Sequence, residues 1–143
     1  MADFVEVTDE ALLERCIALR IAVFVVEQGV PLEEEVDAHD HADAVHLAAI
    51  EDGRVVGTAR YVVWRQHAKI GRVAVARTHR GTGLGAGLMG AVMQRAREAG
   101  IASMVLDAQT YALGFYERLG FAAEGPVFDD AGIPHRRMWL RPD

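Results

Sequence analysis

Two periods of hydrophobic and polar residues divide the chain. Phe4–Val7 predicts a short strand. Leu12, Leu13, Cys16, Ile17, Arg20, Ile21 and Phe24 then fall at helical spacing, after Thr8 or Asp9 as a cap. Gly29-Val30-Pro31 should stop that helix. The acidic stretch Glu33 to Asp43 predicts a loop or a short helical turn. Val45–Ile50 and Arg54–Trp64 predict two strands joined at the hairpin signal Asp52-Gly53. Ile70–Val75 predicts a third strand, with Gly71 marking a bulge. Beyond Arg80–Gly85, the stripe Leu84, Leu88, Val92, Ala96 predicts a helix to Ala99, closed by Gly100. Ser103–Leu106 predicts a buried strand, and Gln109–Leu119 a helix ending at Gly120. Phe121–Ala123 and Arg137–Leu140 complete the strands, joined by a loop holding Gly132 and Pro134. The order predicts one mixed α/β domain over residues 1–143, built on a central sheet.

Composition narrows the classes. A chain of 143 residues, 51% hydrophobic and 25% charged, suits one globular domain. A net charge of −6 argues against a nucleic-acid binder. No apolar run approaches the ~18 residues that cross a bilayer. The N-terminal residues lack a basic region followed by an apolar stretch, and Cys16 is the single cysteine, so no internal disulfide can form. These features predict a cytoplasmic protein without a membrane partner.

Arg80-Gly-Thr-Gly-Leu-Gly85 carries the clearest chemistry. Glycines permit a tight turn and expose N–H groups. The helix start adds unpaired donors and a partial positive charge, which together predict a phosphate or pyrophosphate site. A triphosphatase loop is excluded because no lysine lies near it; Lys69 is the chain's single lysine. Gly81, Gly83 and Ala86 match a dinucleotide fingerprint literally. Yet a strand meander precedes them, too little chain follows for a second parallel half, and Asp107 lies late for a ribose acid. A nicotinamide-dependent oxidoreductase is therefore a minor alternative.

Coenzyme A remains, and here the chain resembles a known family. Arg80-x-x-Gly83-x-Gly85 resembles the phosphate-loop motif of the GNAT N-acetyltransferases. Gly114-Phe-Tyr116-Glu-Arg-Leu-Gly-Phe121 resembles that family's second signature. Phe24-Val-Val-Glu27-Gln28-Gly-Val-Pro31, Glu35-Val-Asp37-Ala-His-Asp40, Leu106-Asp-Ala-Gln109 and Gly132-Ile-Pro-His135 resemble the ElaA/YjcF-like branch. The resemblance covers almost the whole chain. It implies a GNAT fold of the α/β (α+β) class. Its central sheet is mixed but mostly antiparallel, flanked by helices and splayed between the fourth and fifth strands.

The resemblance also implies roles. Val73, Ala74 and Val75 would pair with the pantetheine arm, and a backbone N–H there would stabilise the oxyanion. The loop Arg80, Gly81, Thr82, Gly83, Leu84, Gly85 and Ala86 would hold the pyrophosphate. Gln109 stands where many relatives carry an asparagine near the pantetheine. Tyr116 would give a proton to the departing thiolate. Glu27 is the first candidate base, ahead of Asp107, Glu34, Glu35 and His135. Arg20 would orient an acceptor carboxylate or pair with Glu27. The expected reaction is direct acetyl transfer from acetyl-CoA to a primary amine, of a small molecule first and of a protein N-terminus or lysine as the other acceptor class, without a metal, and dimers are common in the family. A non-catalytic acyl-CoA-binding or sensing module is the alternative. Other side chains are expected in structural roles: the Asp37–Asp43 acid–histidine cluster as a structural or substrate-rim loop, Cys16 as core, and Trp64 and Trp139 as packing residues.

Overall fold

The computed structural model describes residues 1–142. Asp3–Glu6 forms β1. Asp9 caps α1, Glu10–Arg20, its carboxylate accepting from the Leu12 N–H at 2.8 Å. The helix then widens into a π-helical stretch, Ile21–Glu27, before Gly29 turns the chain. Helix α2, Leu32–Glu35, and the 3₁₀ turn Ala38–His41 structure the acidic segment.

Strands β2 (Val45–Glu51), β3 (Arg54–Trp64) and β4 (His67–Val75) form an antiparallel meander. Helix α3, Leu84–Glu98, follows the glycine loop. Strand β5, Met104–Gln109, leads through a 3₁₀ turn into α4, Leu113–Arg118. Strands β6 (Ala122–Asp130) and β7 (Ile133–Leu140) close the sheet. The seven strands lie in the order β1-β2-β3-β4-β5-β7-β6.

Helix α3 buries Leu84, Leu88, Met89, Val92, Met93 and Ala96 against one sheet face, so the predicted stripe points inward. Ala59 and Tyr61 of β3 face that core. Thr58 and Arg60 point oppositely, toward α1. The stripe holds Leu13, Cys16 and Arg20 of α1 and Val23 of the π-helical stretch in the interior. An arginine thus occupies an apolar helix position, and its partners come from the acidic segment.

Three predicted boundaries move. The loop expected around Gly132 and Pro134 is a two-residue turn, Ala131-Gly132, between two long strands. Cross-strand pairing to β5 from Leu140 back to His135 holds β7 extended almost to that turn. The helix expected from Gln109 begins at Leu113, because β5 continues to Gln109. The bulge lies beside Gly71, but the left-handed residue is Arg72, with φ of 53°. Ala59 opposes both Arg72 and Val73, between the pairs Arg60–Gly71 and Thr58–Ala74.

That bulge positions the site. Strands β4 and β5 pair in parallel only at Ala68–Met104 and Lys69–Val105, and then part. Pleating past the bulge bends β4 away while β5 stays bound to β7. The V so opened has β4 backbone on one wall and β5 on the other.

Candidate functional site

The V is the throat of a cleft of about 920 Å³. One wall is the cradle. The glycine loop ends at Gly83, whose φ of +85° caps α3 in a left-handed conformation with no side chain filling the cap. The first-turn N–H groups of α3 therefore remain free to meet a ligand. Gly85 packs against α4: a Cβ there would lie 3.4 Å from the Phe115 ring, in ordinary contact.

The structure brings most predicted cofactor residues together. Val73, Ala74, Val75, Arg80, Gly81 and Gly83 line the cleft. So do Gly85, Ala86 and Gln109. Leu84 instead turns its side chain into the core, leaving only its backbone available. Thr82 donates its hydroxyl to the His79 carbonyl, closing the loop on itself.

Tyr116 lines the cleft from α4, wedged edge-on between the rings of Phe115 and Phe121 at 4.9 and 6.2 Å. Burial pushes its phenol up to about 12. At neutral pH it is a fully protonated donor.

Glu27 departs from expectation. Its side chain does not line the cleft. Its two oxygens instead accept from Arg80 Nη1 and Nη2 at 2.8 and 3.0 Å. The Arg80 hydrogen bonds hold its carboxyl below the ordinary glutamate range. A carboxylate so held is a weak proton acceptor. The next residue, Gln28, accepts from Gln109 Nε2 at 2.7 Å.

Arg20 is likewise not a partner of Glu27. Its Nε donates to Glu35 at 2.7 Å, and Nη1 and Nη2 donate to Asp40 at 2.7 and 2.9 Å. Arg60 donates to both Asp40 and Asp37. Arg72 donates from Nε to the Glu35 carbonyl at 3.0 Å and from Nη2 to Asp37 at 3.3 Å. Three guanidiniums thus meet three carboxylates, with Arg20 and the Asp40 carboxylate almost wholly buried. Burial opposes charge on Asp40, but Arg20 and Arg60 overcome it and hold the carboxyl low. Glu35 receives a close bond from Arg20 alone, and burial pushes its carboxyl up. Glu34, Glu35 and Arg72 line the cleft, as do Asp107 and His135. Asp107 is gripped in bidentate fashion by Arg137 at 2.8 and 3.1 Å.

Sequence pattern gave no notice of Arg72 or of the network, whose members span residues 20 to 72. The one local signal was the left-handed bulge, and it pointed to Gly71. In the acid–histidine cluster, His39 bonds Asp43 and His41 bonds Glu10, both near the surface. Among the described residues, no group of three or more His, Cys, Asp or Glu side chains is arranged to hold a metal ion.

A mixed sheet splayed at β4 and β5, with a glycine loop leading into α3 beside the splay, is the architecture of the acyl-CoA N-acyltransferase fold. The chain belongs to the GNAT acetyltransferase family, residues 7–142 matching the acetyltransferase (GNAT) domain. Within it the chain is ElaA/YjcF-like. It is 34% identical over 131 residues to the uncharacterized N-acetyltransferase YjcF of Bacillus subtilis, covering 91% of this chain and 93% of that one. Its fold matches an acyl-CoA N-acyltransferase from Pseudomonas aeruginosa with a TM-score of 0.88 and 33% identity, over 99% of this chain and 100% of that one. Escherichia coli ElaA matches equally well, with a TM-score of 0.88, 28% identity and the same coverage. Among the described residues, no helix is long and apolar enough to cross a membrane.

Proposed function

We propose that this protein moves an acetyl group from acetyl-CoA directly to a primary amine of a small molecule. The observation that carries the reading is continuity: one cleft runs from the cradle, past the open β4 backbone and Tyr116, to the charged wall at Glu35. The residues present suit the co-substrate. The glycines leave room for phosphates, and the α3 terminus supplies donors of the right sign. The unpaired edge of β4 offers main-chain groups to an extended amide-bearing arm.

Acetyl-CoA supplies the activated acyl group. This chain's residues supply orientation and protons. A β4 backbone N–H beyond the bulge stabilises charge developing on the thioester oxygen. Tyr116 gives its proton to the thiolate. We assign the amine's proton to Glu35, a residue of the cleft lining whose carboxyl burial pushes up against the bond from Arg20.

The test is calorimetric titration with acetyl-CoA, with NAD as control, followed by thiol release over a panel of primary amines. Saturable binding of acetyl-CoA alone and turnover with an amine support the proposal. Binding without turnover across the panel supports an acyl-CoA-binding module instead. Preference for NAD overturns the cofactor class.

A further inference from the structure

Two successive residues at the end of the π-helical stretch reach across to the cradle side. Glu27 takes both terminal nitrogens of Arg80, and Gln28 takes the amide of Gln109. Arg80 and Gln109 are the two long polar side chains assigned above to the cofactor. The third Arg80 nitrogen, Nε, donates to the Val75 carbonyl at 3.2 Å. Every nitrogen of that guanidinium therefore has a protein partner.

The geometry of the pair matters. A carboxylate meeting both Nη groups side by side uses the planar fork that also recognises a phosphate. One guanidinium edge cannot serve both anions in this way. The pair is also electrically neutral, so while it holds, Arg80 adds little to the attraction of the cradle for a polyanion. Both side chains are well exposed to solvent. An exposed pair is weak enough to exchange partners without disturbing the fold.

We infer that Glu27 sets the affinity of the cradle: its carboxylate and a cofactor phosphate are alternative partners of the Arg80 guanidinium. The inference rests on the reading of this cleft as a coenzyme A site. On this view Glu27 is a positioning residue acting through Arg80, and its removal strengthens binding. That direction is opposite to the one for a residue that contacts the cofactor or merely supports the loop. The π-helical widening has a part as well, because it carries Glu27 to the face that meets Arg80. Gln28 acts alike on Gln109, with a neutral and weaker bond.

The test is calorimetric titration of acetyl-CoA into wild type, Glu27→Gln and Glu34→Gln at low salt, with circular dichroism confirming that each is folded. Glu34 lines the same cleft and forms no ion pair among the described residues, so it reports the general effect of removing a negative charge. The expected result is binding roughly two- to fivefold tighter for Glu27→Gln, the range an exposed ion pair is worth. Glu34→Gln should change affinity less. An unchanged or weakened Glu27→Gln overturns the inference, weakening meaning that Glu27 holds Arg80 ready for the phosphate. An equal gain for Glu34→Gln also overturns it, since bulk charge then suffices. Failure of wild type and variants alike to bind overturns the coenzyme A reading and this inference with it.

Discussion

The two walls of the cleft are made of different materials. The cradle wall is backbone: an exposed left-handed glycine, uncapped N–H groups and the half-buried, unpaired edge of β4. The acceptor wall is side chain: three arginines and three acidic residues drawn from α1, α2, the 3₁₀ turn, β3 and β4. A site of backbone groups needs particular residues at adjacent positions, so it leaves a short motif. A site of buried charges needs partners only in space. It also couples stability to function, because each ion is dissolved by the others rather than by water.

That contrast can be broken most forcefully at Asp40. Asp40→Asn leaves Arg20 and Arg60 facing one another with too little negative charge. It should cost about 3–5 kcal/mol of unfolding free energy, read from urea denaturation. A loss below about 1 kcal/mol would mean that water enters the network and that the acceptor wall is no more coupled to folding than the cradle.

Tyr116→Phe tests the chemistry between the walls. The ring packing survives and only the donor is lost. Turnover should fall about 100-fold while acetyl-CoA affinity holds. Unchanged turnover, with chemistry limiting the rate, would remove Tyr116 as the proton donor.

Gly83→Val acts on the cradle alone. At φ of +85° a β-branched residue is strained by about 1–3 kcal/mol, and the turn must reshape. Acetyl-CoA affinity should drop by roughly tenfold or more, with the circular dichroism spectrum unchanged. Full affinity in the variant would show that the loop backbone does not hold the phosphates.

The smallest effect sharpens the comparison through pH. His46 bonds the Asp40 carbonyl through Nε2 at 3.0 Å, so that nitrogen carries the hydrogen, and its buried Nδ1 has no partner. Burial holds its pKa below the ordinary histidine value. The unfolded chain accepts a proton near pH ~6.5 that the folded histidine refuses. Stability from this group is therefore present above that pH and is lost as pH falls through it. The urea midpoint should drop between neutral and mildly acidic pH, and His46→Gln should flatten that dependence. An equally steep profile in the variant would assign the effect to other groups.

The cradle was legible because the left-handed turn, the helix start and the apolar stripe Leu84–Ala96 are encoded within about twenty consecutive residues. The place of Tyr116 in the cleft lining was expected from family resemblance alone, since nothing in its local pattern separates a cleft tyrosine from a core one. Arg20 was misplaced for the opposite reason. On a helical stripe it lies one turn from Phe24 and invites pairing with Glu27, whereas folding brings it Glu35 and Asp40. The sequence by itself determined the order of elements, the glycine loop and its charge preference, because these depend on periods and dihedral angles local to the chain. Only the tertiary structure decided which carboxylate meets which arginine. A salt bridge is chosen by burial and distance between distant segments, and the same charges written in the same order allow several pairings.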